Sequence, residues 1–350
     1  MEEKKEERFL FWDILKGIGI ISIVFGHSQN LGILIRAVYY YHLVIFFFVS
    51  GYLFNEEKYG DKPFEFFARR LKNMWIPYIC YGSLFVLLHN FLSDSRLFPS
   101  LHYSLTDTVY ALANVIFLSC AEAPSGAMWF IPLMLATGAV FSALMWFCRR
   151  FIPLKARTWA LALFCGLTGL LGIIFARKGI DLNYHIQIAL LVTPVYFAGY
   201  FLRKKNISPE KYVSWPGAVF CGALLAYFLL FTDESVELSI NVIPCRVNFY
   251  VISAAGIYLC CFLAKCLERW PKAGQAAAIL GKYSFDIMAL HFLVFMVADL
   301  VYGLLTHDYP ENWIVFPHAY QELHVLYLIL GTTVPAVLAG AVRKVLHRSV

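Results

Sequence analysis

The chain has 350 residues, of which 60% are hydrophobic, 17% aromatic and only 15% charged, and its mean hydropathy is +0.65. A soluble domain is closer to half apolar and a quarter charged, so this composition excludes an ordinary water-soluble protein and predicts one embedded in lipid. The net charge of +6 comes from loops between apolar segments, and we therefore do not expect nucleic-acid binding.

Ten apolar segments follow one another along the chain, each close to the length of about 20 residues that an α-helix needs to cross the hydrocarbon core. They lie at 9–30, 37–54, 73–93, 127–148, 157–176, 186–202, 214–231, 247–266, 283–304 and 322–342. A further apolar stretch, 105–119, is short, and we expect an interfacial or re-entrant helix there. The sequence predicts an all-α, polytopic integral membrane protein of about ten transmembrane helices, with 1–350 forming one membrane domain.

Basic residues are shared unevenly between the two sides of this arrangement. Of the 29 Lys and Arg residues, 23 fall on the side of both termini, five fall in the opposite loops, and Lys16 lies inside a span. Because cytoplasmic loops carry the excess of Lys and Arg, we expect both termini in the cytoplasm and a multi-pass location in the cytoplasmic (inner) membrane of the cell. An eleventh crossing at 105–119 would invert this pattern.

The cysteines and histidines show no spacing typical of a metal site. There is no CxxC, and no two histidines have HxxxH spacing within a span, so we expect no metal. Most of the nine cysteines fall inside apolar spans and are interpreted as small core residues. Cys120 and Cys245 fall in predicted exterior loops, which leaves a disulfide between them open.

The first span carries ionisable residues that are costly in a membrane and by default mark function or a water-filled cavity. Lys16 and His27 are eleven residues apart, about three helical turns, and so share a face. Asp13 lies one turn before Lys16, where an ion pair would reduce the cost of burial. Lys16 snorkelling to the surface and His27 as an interfacial histidine are the alternatives. A pKa near neutrality suits histidine to taking a proton from a hydroxyl.

A basic residue, ten intervening residues and a histidine in the first helix resemble the motif of the acyltransferase-3 family of integral membrane acyltransferases. The resemblance is strongest to the branch related to fucose 4-O-acetylases. The basic residue is more often arginine in that family, and lysine keeps the charge without the bidentate fork. Four further blocks are similar, in order along the chain: YYYHLVIFFFVSGYLF at 39–54, RRLKNMWIPY at 69–78, GAMWFIPLML at 126–135 and LGKYSFDIMALH at 280–291.

The resemblance implies transfer of an acyl group, usually acetyl, from cytoplasmic acyl-CoA to a hydroxyl of a surface carbohydrate or glycolipid. Acetyl-CoA would be the donor co-substrate. His27 would act as general base on the acceptor, and Lys16 would meet the CoA pyrophosphate or stabilise an oxyanion. Arg69, Arg70 and Lys72 would lie where the CoA phosphates arrive, although an ordinary positive-inside loop also explains them.

Six further residues are candidate contacts of the substrate. Each also has a structural explanation, such as helix packing at Gly51 or interfacial anchoring of an aromatic ring. Asp286, a second intramembrane charge, has three open roles: pairing with Lys16, orienting a histidine or capping a water cavity. The six candidates are His42, Ser50, Tyr52, Trp129, Asp286 and His291.

Two other functions are open at this point. A membrane carrier for a small polar solute or a polysaccharide intermediate would also place Lys16, His27 and Asp286 in a polar path, but the sequence has no convincing inverted repeat. A sensor or partner subunit is the third alternative. The chain has no GxSxG elbow and no P-loop, which leaves no recognisable hydrolase or nucleotide-hydrolysing signature. Membrane lipid is the expected surrounding, and a homo-oligomer is left open.

Overall fold

A computed structural model describes residues 2–28, 32–95, 101–244, 247–307 and 317–348. Helix makes up 81% of the structure. Within the described residues, the only β-pairing is one isolated bridge between Glu237 and Val242. The predicted all-α fold is confirmed.

Fifteen α-helices are present in the described part of the chain. They are α1 (Glu2–Ser28), α2 (Gly32–Tyr39), α3 (Val44–Tyr52), α4 (Glu56–Tyr59), α5 (Pro63–Asp94), α6 (Leu105–Ile116), α7 (Phe130–Phe151), α8 (Arg157–Arg177), α9 (Ile186–Lys204), α10 (Pro209–Tyr212), α11 (Trp215–Phe231), α12 (Asn248–Glu268), α13 (Pro271–Lys282), α14 (Ser284–Thr306) and α15 (His324–Arg348).

The membrane spans match the expectation closely. Nine segments of the described chain are long and apolar enough to cross a membrane. The remaining predicted span, 214–231, forms α11, which is apolar but has only 17 residues. The short stretch at 105–119 forms the 12-residue helix α6. On α8 and α11, large side chains such as Trp159 and Phe231 are mostly exposed, as expected for faces that contact lipid. The protein is therefore a polytopic helical membrane protein.

The predicted second span is not one continuous helix. It is divided into α2 and α3 by a turn over 40–43 that contains His42. The carbonyl oxygen of Val38 accepts the backbone N–H groups of Tyr41 and His42 at 3.1 and 3.0 Å. His42 Nδ1 also donates to this oxygen, at 2.9 Å. This local bonding holds the His42 ring against its own backbone at the break.

Helix α13 lies between the predicted spans 247–266 and 283–304, outside every predicted span. Its glycine and alanine positions allow the backbones of α13 and α1 to touch. A Cβ atom on Gly17 would lie 2.0 Å from the Ala277 carbonyl oxygen, and one on Gly281 would lie 1.9 Å from the Asp13 carbonyl oxygen. Only glycine permits this approach, which fixes α13 along the Lys16 end of α1.

A second close contact joins α3 to α9. A Cβ atom on Gly51 would lie 1.8 Å from the Tyr196 carbonyl oxygen, and one on Gly199 would lie 2.0 Å from the Phe48 carbonyl oxygen. Gly51 therefore serves packing, the alternative favoured by its small size.

An ion network ties the segment after α3 to the ends of α7 and α9. Glu56 accepts a hydrogen bond from Tyr200 at 2.6 Å and pairs with Lys204 at 3.1 Å and Arg149 at 3.4 Å. Arg149 also pairs with Asp61 at 2.5 Å. Burial raises the pKa of Glu56, but the hydrogen bonds from Tyr200 and Lys204 outweigh it and hold this pKa below its ordinary value.

Candidate active site

Two histidines from α1 and α14 contact each other inside the helix bundle. His27 Nδ1 lies 2.9 Å from His291 Nε2, and the two rings are nearly parallel, with centroids 5.1 Å apart. His291 is fully buried, whereas His27 is partly exposed. The sequence singled out both residues, but it did not predict that they form a pair.

The hydrogen bonds of His291 determine which nitrogen of each ring carries the proton. His291 Nδ1 lies 3.0 Å from the carbonyl oxygens of both Ile287 and Met288. A carbonyl oxygen only accepts, so Nδ1 donates, and Nε2 of the neutral ring is an acceptor. His27 Nδ1 must then donate to it, which leaves the lone pair on His27 Nε2. That atom has no hydrogen-bond partner among the described residues, which is the state a general base requires.

His27 lines a cavity of about 300 Å³ that has a mixed polar and apolar wall. Residues from three segments between helices close it: Gly126 and Trp129 before α7, Glu237 and Ser239 after α11, and Pro317 before α15. All three belong to the side that the charge pattern predicts to be exterior. Lining residues that carry polar groups are His27, Tyr39, His42, Trp129, Glu237 and Ser239.

Glu237 places a carboxyl group in the wall of this cavity. Ser239 Oγ donates to Glu237 Oε1 at 2.5 Å. Burial raises the pKa of Glu237, and the hydrogen bonds from Ser239 oppose that shift without cancelling it. Sequence reasoning missed this residue because a glutamate in a loop gives no signal of its own; only the fold brings it to the same cavity as His27.

Two of the predicted substrate contacts line the cavity with His27. The His42 ring is 4.5 Å from Tyr39, whose ring is 6.5 Å from that of His27. Trp129 stands at the edge of the cavity, with its ring 4.9 Å from His185. Both residues are therefore placed where an acceptor bound near His27 would touch them.

Lys16 and Asp13 form the ion pair that the sequence predicted, with Lys16 Nζ 2.6 Å from Asp13 Oδ1. Their side chains are 26% and 32% exposed, so the pair is in contact with its surroundings. Neither residue lines the cavity of His27. The first helix therefore carries two separate polar groups, one near each end of the apolar segment.

The basic residues before the third span differ in how far they are buried. Arg69 and Lys72 are exposed, whereas Arg70 is partly buried and its Nη2 donates to Ser50 Oγ at 3.1 Å. Arg70 Nε and the hydroxyl of Tyr196 are buried without a hydrogen-bond partner in the described part of the chain. Arg70, Ser50 and Tyr196 thus form a polar group inside the bundle with unused hydrogen-bonding capacity.

Asp286 and Tyr52 are placed away from the His27 cavity. Asp286 does not pair with Lys16: it accepts hydrogen bonds from Tyr81 at 2.8 Å and from Arg343 at 2.6 Å. Tyr52 is buried, with its ring 4.0 Å from that of Trp12. In this structure both side chains join helices to one another. Cys245, the proposed partner of Cys120, lies outside the described residues.

Comparison with known proteins gives one match. The fold and the site define a polytopic membrane protein with a histidine pair beside a polar cavity. A family model described as an acyltransferase domain, that of the acyltransferase-3 family, matches residues 9–340. The chain therefore belongs to this family of membrane acyltransferases. No curated protein and no solved structure matches it, and membership of the branch related to fucose 4-O-acetylases stays a prediction.

Proposed function

We propose that this protein is an O-acyltransferase that moves an acyl group from cytoplasmic acyl-CoA to a hydroxyl of a surface carbohydrate or glycolipid. We propose acetyl as the acyl group, because it is the usual one in this family. The observation that carries the proposal is His27, which lines the cavity, has its Nδ1 held by His291, and has no hydrogen-bond partner for Nε2 among the described residues. Transfer to a hydroxyl needs such a base, because an alcohol is a weak nucleophile at neutral pH.

In the proposed reaction, His27 Nε2 takes the proton of the acceptor hydroxyl as its oxygen attacks the carbonyl carbon of the thioester. The carbon–sulfur bond breaks, and the thiolate of CoA leaves and takes up the proton. The positive charge that His27 acquires is stabilised by His291, whose Nε2 accepts from it. Glu237 lines the same cavity and adds a carboxyl group to its wall.

We propose that the donor enters from the opposite end of the bundle. Positive charge there favours the phosphates of CoA, with Arg69 and Lys72 exposed and Arg70 held against Ser50. Lys16 has three N–H donors and Asp13 occupies one, so phosphate contact is compatible with the ion pair. The proposed orientation of the protein rests on the excess of Lys and Arg in the loops on the side of both termini. It places both termini in the cytoplasm and the protein in the cytoplasmic membrane.

The proposal is tested with purified protein in lipid nanodiscs, where both faces are accessible to radiolabelled acetyl-CoA. We expect slow hydrolysis of the donor without acceptor and transfer of label to surface carbohydrate isolated from the same cells. His27→Ala should lower transfer by about 10²- to 10⁴-fold. His102→Ala is the matched control, because His102 is 57% exposed and pairs with Asp94. Equal activity in both variants would overturn the assignment of the base.

A further inference from the structure

The cavity of His27 is the first of three adjacent cavities on the same side of the molecule. The second, about 330 Å³, shares Gly126 and Trp129 with the first. The third, about 260 Å³, shares Ala121 and Glu122 with the second. Since neighbouring cavities have walls in common, the three form a row that leads away from His27 along the segment before α7.

Aromatic side chains line this row of cavities. Trp129 stands between the first and second cavities, Tyr184 lines the second, and Tyr103 and Tyr110 line the third. Tyr184 is 42% exposed and Tyr110 is 73% exposed. Rings of this kind pack against the C–H faces of sugars, while neighbouring carboxylates and amides bond the hydroxyls.

The third cavity rests on a buried hydrogen-bond network that holds its shape. His89 Nδ1 lies 2.7 Å from Glu122 Oε2, and both side chains are almost fully buried. Tyr103 donates to the other oxygen of Glu122 at 3.0 Å and stacks on His89 with ring centroids 3.4 Å apart. Burial beside this carboxylate raises the pKa of Tyr103 to about 12, so its hydroxyl stays a donor at neutral pH. The wall is thus preorganised, a property of binding sites.

The middle cavity has a strained backbone. Six residues other than glycine have a positive φ in the described part of the chain, and three of them line this cavity: Leu118 at 59°, Tyr184 at 60° and His185 at 54°. A left-handed conformation is unfavourable for such residues and tends to cluster at functional sites. Here it brings Tyr184 and His185 beside the same cavity wall as Trp129.

From these observations we infer that the acceptor is an oligosaccharide chain of at least three sugar units, which lies across the three cavities with its reacting unit at His27. The inference rests on the proposed function and specifies its acceptor. Trp129 separates the first and second units, Tyr184 contacts the second, and Tyr110 contacts the third. Affinity for the chain then comes mainly from units that do not react.

The test measures transfer from radiolabelled acetyl-CoA to acceptors of one to four repeat units. These are prepared by partial hydrolysis of de-O-acylated surface polysaccharide from the same cells and offered to the protein in nanodiscs. We expect kcat/KM to rise with each unit up to the third and then to level off. Each aromatic contact should contribute about 2- to 10-fold.

Variants at two positions test whether this gain in kcat/KM arises in the groove that the three cavities form. Tyr110→Ala should lower kcat/KM for the three-unit acceptor while leaving the one-unit acceptor unchanged, and Tyr184→Ala should lower it from the two-unit acceptor onward. Tyr184→Phe is the matched control, because it keeps the ring and loses only the hydrogen bond of the hydroxyl to the Phe117 carbonyl, 3.0 Å long in the wild type. We expect Tyr184→Phe to behave like the wild type.

The possible failures are distinguishable. Transfer that is equally efficient for one and three units would overturn the extended groove and leave the proposed function standing. An equal loss for all lengths in Tyr110→Ala and Tyr184→Ala would show a structural role instead and would also overturn it. Absence of transfer to every length by the wild type would refute the carbohydrate acceptor itself, and the groove with it.

Discussion

Near the Lys16 end of α1 three sets of charged side chains are paired: Lys16 with Asp13, Asp286 with Arg343, and Glu56 with Arg149 and Lys204. At the other end, His27 uses one ring nitrogen on His291 and presents the other to a cavity. Both arrangements put polar groups into an apolar bundle, which carries a desolvation cost.

The difference between the two ends separates structural from chemical roles. A charge with a complete set of partners holds helices together, because its removal leaves the partners unsatisfied. A polar atom without a protein partner, facing a cavity, is free to bond a substrate. By this criterion we expect a role in the reaction for His27 and a structural role for Glu56. Arg70, partly bonded by Ser50 and with a buried Nε left over, lies between them.

After the loss of His27 itself, the largest effect is expected at His291, which orients the His27 ring. His291→Ala removes the acceptor of His27 Nδ1, so the ring loses its orientation and its preferred tautomer. We expect kcat to fall by about 10- to 100-fold, as for other hydrogen bonds that orient a functional histidine. His291→Gln should recover part of the loss, because its amide oxygen can accept the same proton. The measurement is acyl transfer at saturating donor.

A double variant shows whether the two histidines act as one unit. If they do, His27→Ala/His291→Ala is no less active than His27→Ala alone, because residues of one catalytic unit are strongly non-additive. Additive losses would mean that His291 contributes independently of His27. Activity of His291→Ala within twofold of the wild type would contradict the pairing.

Arg70 and Arg69 offer a comparison between adjacent positions with the same charge. Arg70→Lys keeps the charge but removes the fork that reaches Ser50, and we expect KM for acyl-CoA to rise about tenfold, the equivalent of one charge-assisted hydrogen bond. Arg69→Lys should change KM less than twofold, because its side chain is exposed. Steady-state kinetics with varied donor checks both. Equal effects would assign the donor site to general positive charge.

A smaller effect, on stability alone, is expected at Glu56. Glu56→Gln weakens the network with Tyr200 and Lys204, and we expect unfolding to become easier by about 1 kcal/mol at pH 7. The folded pKa of Glu56 is below its ordinary value of 4.5. Its stabilisation is therefore present above that pH and disappears as the pH falls through the folded pKa, where variant and wild type should melt alike.

Glu57→Gln is the control for this melting experiment, because Glu57 is the exposed neighbour of Glu56 on α4. It should melt like the wild type throughout. Acyl transfer by Glu56→Gln below its melting temperature should be unchanged. A loss of turnover in the folded variant would break the distinction between the two ends, since it would give a fully paired group a chemical role.

The spans were predictable because length and hydropathy alone determine what can cross a bilayer. The ten predicted segments correspond to helices in the structure, with α2 and α3 together making one of them. The ion pair of Lys16 with Asp13 was also predictable, since residues three apart on a helix are neighbours. These features depend only on local sequence.

Features that depend on contacts between distant segments were not predictable. The spacing of Lys16 and His27 indicated a shared face of α1, but it gave no information that His291 would lie 2.9 Å from His27. Helix α13 has too few apolar residues to register as a span, and only its glycine contacts with α1 explain its position. An ion pair of Asp286 with Lys16 was one of the alternatives, because nothing in the sequence shows that α15 brings Arg343 next to Asp286.

Lys16 gives the smallest effect and the sharpest test of the comparison, because it is paired like Glu56 but lies in the motif that also contains His27. If Lys16 contacts a CoA phosphate, Lys16→Met raises KM for acyl-CoA two- to threefold, worth less than about 1 kcal/mol for a partly exposed charge. Asp13→Asn should leave that KM unchanged or slightly lower, because it frees the ammonium group. The double variant should resemble Lys16→Met, since only the positive charge is attracted to phosphate. If instead KM stays constant and both single variants melt earlier, Lys16 is a structural partner of Asp13, and the chemistry of α1 belongs to His27 alone.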